Sequence, residues 1–379
     1  MIHPSVTPPA SPSVSPPVHP LDRFSGTFRA SEHIDRRSPV LGVVDSALRG
    51  IGQIFLINNP LTGLALLLAI ATQSLWAGTL LLAGALVSTL TALLLGYDSG
   101  VVRLGFFSFN GALFGVLGAV FLQGEWSLGN AVFTLLAAAI SVPIMQATIE
   151  VLVVRFDAPA LSLTFGLLGL LVLLLAPATA HGNGNMSLLQ PVQRFAHAPD
   201  PVLRAAIDGP AVDPLAGLVN ATFRGIGQVV LMDSVLAGVL IVIGIALATR
   251  IGAILAIAGS LTGALAAQAI GADGSEIYHG LWGYNGAVVA VGLFGVILVP
   301  SVRALVATLV AAAASALLYG ALTQFLAPYG IIPLSLPLVI VIIGAVLALR
   351  ASRIGVIPIP EYSNAEHQLR ARSQERTRS

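Results

Sequence analysis

The chain has no cysteine and no lysine in its 379 residues. Without cysteine there are no disulfides, no thiolate metal ligands and no thiol nucleophile. All eighteen basic residues other than histidine are arginine, and the net charge is only +1, which supplies no electrostatic footprint for nucleic acid. Charge of either sign is scarce. Asp, Glu and Arg together make up 9% of the chain, against about 25% in ordinary soluble domains. No pair of titratable groups falls at the middle of an apolar run, which argues against a proton relay. No nucleophile stands beside a base, so no catalytic set is assigned and an enzyme is not expected. His181, His197 and His279 are too scattered for a metal site, and no cofactor motif is present.

What fills the chain instead is apolar sequence. Hydrophobic residues are 56% of the total, with a mean hydropathy of +0.91. Runs such as Leu75–Leu95, Ile251–Ile270 and Ile331–Leu349 approach the roughly 20 residues needed to cross a bilayer core. Spans are expected near 61–73, 75–95, 105–122, 131–149 and 160–178, and again near 235–249, 251–270, 286–299, 302–327 and 331–349. The chain therefore divides into a Pro/Ser-rich, disordered tail (1–37), a first transmembrane block (38–180), a polar linker (181–211), a second block (212–350) and a polar C-terminal tail (351–379). The fold class is an all-α polytopic membrane protein. Five spans per half oblige the second half to enter from the opposite face, giving two inverted-topology repeats.

The halves repeat one another. RGIGQ occurs at 49–53 and at 224–228, and FNGALFG at 109–115 is echoed by YNGAVV at 284–289, each 175 positions later. Gln53 and Gln228 thus sit in identical apolar contexts. A buried glutamine needs partners for an acceptor and two donors, and either lines a solute path or bonds between helices; its duplication favours the path. Gly50, Gly52, Gly225 and Gly227 suit a close backbone approach or a sharp turn. Asn110 and Asn285 introduce apolar stretches, and a half-helix beginning at either would present free N–H groups or use the Asn side chain as a cap. Arg49 and Arg224 are expected to reach the membrane interface or cap a helix end. Phe109 with Leu113, and Tyr284 with Val288, lie four residues apart and would share a helical face. They form either ordinary core or apolar plates flanking a slot.

In RGIGQIFLINNPLTG at 49–63, RGIGQVVLMDSVLAG at 224–238, FNGALFG at 109–115 and YNGAVVAVGLFG at 284–295, the chain resembles the urea transporter family over residues 38–350. The resemblance implies two inverted five-helix repeats with short re-entrant or broken helices, one pore per protomer, and a homotrimer in the cell membrane. It implies that urea passes down its gradient without ion coupling. Gln53 and Gln228 match the family glutamines. The family's hydroxyl position falls on Ser162 and Ser335, each replacing threonine, with Thr164 where the motif has proline. Phe109, Leu113, Tyr284 and Val288 take the slot positions. Asn59-Pro60 belongs to the first-half motif, where the second half has Ser234-Val235, a change expected to alter that helix start. The function implied is a passive urea channel. The alternatives are a channel for short amides, ammonium or water, and an ion-coupled transporter of a small polar solute. The expected partners are urea and membrane lipid.

Overall fold

In a computed structural model of the chain, residues 26–27, 38–122, 126–183, 214–359 and 362–378 are described. The expected N-terminal tail, Gly26 and Thr27 excepted, and the linker beyond Asn183 lie outside them. The fold is helical. The first half contains α1 (Pro39–Gln53), α2 (Pro60–Gln73), α3 (Leu75–Leu94), α4 (Ser99–Arg103), α5 (Ser108–Phe121), α6 (Leu128–Thr148, running on as a π-helical turn over Ile149–Arg155) and α7 (Leu163–Asn183). The second contains α8 (Pro214–Gln228), α9 (Val235–Ala248), α10 (Arg250–Ala269), α11 (Gly274–Tyr278), α12 (Tyr284–Gly292, with a π turn over Leu293–Ile297), α13 (Val302–Leu326, with a 3₁₀ turn over Ala327–Tyr329) and α14 (Leu336–Leu349). From α1 to α4, each helix recurs 175 residues later with both ends in register. A last helix, α15 (Ala365–Arg378), follows.

Small polar residues punctuate these boundaries because their side chains satisfy the first free backbone N–H groups of a helix. Ser38 accepts from Leu41 N, Asn59 from Leu61 N and Thr62 N, and Ser74 from Ala77 N. The second half uses Ser234 before α9, Thr249 before α10 and Asp273 before α11. Losing the proline equivalent to Pro60 does not move the helix start, since the Ser234 side chain accepts from Ala237 N and α9 begins in register with α2. Thr164, in place of the family proline, likewise leaves α7 opening on Leu163 as α14 opens on Leu336.

Four helical stretches, Leu75–Leu94, Leu128–Arg155, Arg250–Ala269 and Val302–Tyr329, are long and apolar enough to cross a membrane. Six further apolar helices have 10–17 residues. Leu94, Leu136, Ile140, Val302, Val306 and Val310 leave large apolar side chains on the outside, where lipid replaces water as solvent. The centre is occupied by α5 and α12. All fourteen residues of α5 and all nine of α12 are buried. At 1.5 Å per residue α5 is about 21 Å long, short of the roughly 30 Å hydrocarbon thickness. α3 packs on α5, and α10 on α12. Gly84 and Gly259 make these crossings close, because a Cβ at either would strike a backbone carbonyl, that of Gly111 or Gly286 respectively. Across the halves α2 packs on α9. Thr62, at the start of α2, donates its hydroxyl to Gly244 O near the end of α9 at 2.8 Å, so the start of one meets the end of the other.

The polar C-terminal segment returns to the bundle. Val356 bridges to Leu298. Glu366 accepts from Thr249 Oγ1 and from Ile251 N, both at 2.7 Å, which adds a second cap to α10 and suits the positive end of its dipole.

Candidate functional site

One cavity of about 560 Å³ collects residues from both halves. Gln53, Phe109, Leu113 and Ser162 line it from the first, and Gln228, Tyr284, Val288 and Ser335 from the second. The eight positions named for a solute path therefore lie on one wall system. The remaining named residues are not on its lining. Asn59 and Pro60 start α2. Gly52 and Gly227 lie under a chain reversal, where an added Cβ would meet Ile57 O or Met232 O. Gly50 packs on Ser108, and Gly225 on Ser260 and Gly283.

Each glutamine ends a helix, and the chain then reverses. Ile57 N bonds back to Gly52 O, and Met232 N to Gly227 O. The residue before each, Leu56 or Leu231, has φ of 58°. Leu161 and Leu334, just ahead of the two serines, both have φ of 49°. All four leucines line the cavity. Left-handed backbone at a residue with a bulky side chain is strained, by about 1–3 kcal/mol each, and persists only where packing imposes it. These residues were not anticipated, and nothing in a leucine side chain announces a left-handed turn; only the glycines of the repeated RGIGQ, ahead of Leu56 and Leu231, suggested a sharp turn.

The glutamine amides are held alike. Gln53 Nε2 donates to Leu104 O at 3.0 Å, and Gln228 Nε2 donates to His279 O at 3.0 Å. Each bond uses one of the two Nε2 hydrogens and fixes the plane of the amide, leaving the Oε1 acceptor and a second N–H. Gln228 Oε1 is buried and has no hydrogen-bond partner. The serines meet each other: Ser335 Oγ donates to Ser162 O at 3.1 Å. Tyr284 Oη donates to Leu334 O at 2.6 Å and packs edge-on to Tyr319, with ring centroids 5.5 Å apart. Phe109, in register with Tyr284, has no hydroxyl for such a bond.

The asparagines do not cap their own helices. α5 begins at Ser108 and α12 at Tyr284, each without a side-chain cap, so Asn110 and Asn285 fall inside the first turn. Asn285 Oδ1 instead accepts from Leu338 N at 3.2 Å, serving the start of α14, whose own Ser335 is turned toward Ser162. Asn110 is fully buried and neither of its amide atoms has a partner. Arg49 and Arg224 are not exposed side chains but members of buried ion pairs. Both are 5% exposed, Arg49 pairing with Asp45 at 2.6 Å and Arg224 with Asp233 at 2.6 Å. The electrostatic reason is that an arginine one turn before a helix end can neutralise a buried carboxylate that would otherwise be uncompensated.

The walls between these polar points are apolar, with Phe165, Ile332 and Leu338 among them. Among the described residues no group of three or more His, Cys, Asp or Glu side chains is placed to hold a metal ion. Long apolar helices around buried short ones, with a two-sided cavity at the centre, define a multi-pass membrane protein.

The family model described as Urea transporter matches residues 44–350, and the chain belongs to the urea transporter family. It is similar to Urea transporter 1 of Rattus norvegicus, 29% identical over 258 residues covering 68% of this chain and 64% of that protein. Urea transporter 1 of Ovis aries is 29% identical over 257 residues, covering 67% and 64%. That of Mus musculus is 28% identical over 258 residues, covering 68% and 64%. The matched region spans 64% of the length of these curated relatives.

Proposed function

We propose that this chain is a passive urea channel of the cell membrane, in which Gln53, Gln228, Ser162 and Ser335 supply the polar positions of a pore. One observation carries the reading: two glutamines at matched positions line one cavity, each with its amide nitrogen tied to a backbone carbonyl. Urea offers four N–H hydrogens and one carbonyl. An acceptor fixed at each glutamine replaces water on the donor side of urea, and the Ser162 hydroxyl is available to its carbonyl. Phe109 and Leu113, facing Tyr284 and Val288, form the slot between. Such walls suit a flat neutral molecule and return nothing to an ion for the water it would shed. Weak binding at several adjacent points permits release as well as capture.

The architecture that goes with this function is two inverted repeats, 38–180 and 212–350, of five spans each. The common helix register and the contact of the start of α2 with the end of α9 support it. A homotrimer with one pore per subunit is the assembly the family resemblance suggests. The name of the mammalian relatives points to the same solute.

The test is urea flux into liposomes containing the full chain, followed by stopped-flow light scattering with no ion gradient. Fast urea influx above empty liposomes, unchanged by added proton or sodium gradients, is expected. Passage of acetamide or ammonium without urea would retain the pore and change its solute, and flux that requires an ion gradient would replace the channel by a coupled transporter.

A further inference from the structure

The two halves differ behind their glutamines. In the first, Arg49 takes Asp45 on its own helix and donates to Asn58 Oδ1 at 2.9 Å. The carbonyl that receives the Gln53 amide belongs to Leu104. At the matching positions 175 residues later, Asn58 becomes Asp233 and Leu104 becomes His279. His279 Nδ1 lies 2.5 Å from Asp233 Oδ2, and Asp233 Oδ1 lies 2.6 Å from Arg224 Nη1. These three side chains are 7%, 8% and 6% exposed. Arg224 stands one helical turn before Gln228 on α8, and the carbonyl of His279 itself receives the Gln228 amide. The links close a ring: Gln228 to His279, His279 to Asp233, Asp233 to Arg224, and Arg224 back along α8 to Gln228. No counterpart of its histidine or of Asp233 exists in the first half.

We infer that His279 and Asp233 are positioning residues for Gln228, and that through them urea passage responds to pH in the second half of the pore alone. The inference rests on the pore reading above. Protonated imidazole always presents an N–H to the carboxylate. Neutral imidazole has a single N–H, and in one tautomer turns a lone pair toward Asp233. Charge-assisted hydrogen bonds are also roughly twice as strong as neutral ones. Deprotonation therefore loosens the turn that carries the His279 carbonyl, and Gln228 loses the bond that aims its Oε1. Among the described residues, other charged or titratable groups come from the elements packed around the imidazole. On α11 and its cap are Tyr278, whose ring lies 5.1 Å from the Arg224 guanidinium carbon, Glu276, which accepts from Trp282 Nε1 at 3.0 Å, and Asp273, the cap of α11. From α8 comes Arg224. α10 carries Arg250 at its far end, about 30 Å along the helix.

The experiment measures urea permeability in liposomes, with the same pH inside and outside, between about pH 5 and 8, where imidazole changes charge. It compares the wild-type chain with His279→Leu, which copies the first half, and with His279→Gln, which keeps an N–H donor that does not titrate. Wild-type permeability should fall about threefold to tenfold as pH rises across that range. His279→Leu should be lower at acid pH and flat, and His279→Gln should recover most of the lost permeability and also be flat. A flat wild-type profile, or a His279→Leu protein that keeps the wild-type slope, overturns the inference and leaves the pore intact. Wild-type protein that passes no urea at any pH overturns the pore reading and the inference together.

Discussion

Gln53 and Gln228 show how little of a polar residue's role lies in its identity. Each could present an amide donor or an acceptor to a solute, and how the amide is turned is set by Leu104 O and His279 O, each of which takes one Nε2 hydrogen. The turns that deliver those side chains depend on Leu56 and Leu231 in left-handed backbone. Strain of that kind is held by surrounding packing and keeps the site from relaxing when empty. Replacing Gln53 by Leu keeps the volume and removes the acceptor. One hydrogen bond lost at a desolvated point is worth about 1–1.5 kcal/mol, so urea permeability is expected to fall about fivefold to tenfold. Stopped-flow flux per folded molecule would measure it, and a Gln53→Leu protein with wild-type flux would remove Gln53 from the pore.

Helices are told apart here by what their first turns meet. Most starts carry a capping side chain, but α5, α12 and α14 have none that bonds to its own helix. Phe109 and Tyr284 in the first turns of α5 and α12, and Ser335 just before α14, line the cavity, as do Thr249 and Gly252 at the capped start of α10. At α14 the missing cap is supplied from α12, by Asn285 to Leu338 N. The central helices are short and wholly buried, so backbone must approach backbone, as where α3 crosses α5 at Gly84. Gly84→Val would drive two methyls toward the Gly111 carbonyl. Overpacking of this sort costs about 1–3 kcal/mol, and the thermal unfolding midpoint in detergent should drop by several degrees. An unchanged midpoint would mean that α3 and α5 stand further apart.

For the whole molecule, the C-terminal segment folds back on the second half from outside the apolar spans. Tyr362 lies on the cavity's lining, with Arg350 and Asp157 beside it and paired at 3.1 Å. The Tyr362 hydroxyl is pushed well above the ordinary phenol range, first by burial and then by Asp157, with Arg350 opposing. The sign follows from linkage. A raised folded-state pKa means that this tyrosine stays neutral in the fold while the unfolded chain ionises above about pH 10. Its stabilising contribution is complete below that pH and is lost as pH rises further. The unfolding midpoint should therefore decline above about pH 10, and Tyr362→Phe should reduce the decline. An identical alkaline slope in the variant would place the effect on other groups.

Membrane class, the two related halves and the paired glutamines were legible in the sequence because they rest on composition, on hydrophobic run length and on identical words at a constant spacing, all properties of the chain read in one dimension. So, to within a few residues, were the positions of the ten apolar spans, while the helices ending in the glutamines and the two short ones of five residues were not foreseen. Asn110 and Asn285 do not cap their helices because these begin one or two residues earlier, at Ser108 and Tyr284, and the partner Asn285 serves is 53 residues away. The pairing of Arg224 with Asp233 was not legible, because the chain reversal that brings them together is invisible without the turn at Leu231. The left-handed leucines, the meeting of Ser162 with Ser335 and the His279–Asp233–Arg224 ring were decided by tertiary structure alone. Each joins groups that local propensity cannot bring together, and each owes its geometry to packing between helices from distant parts of the chain.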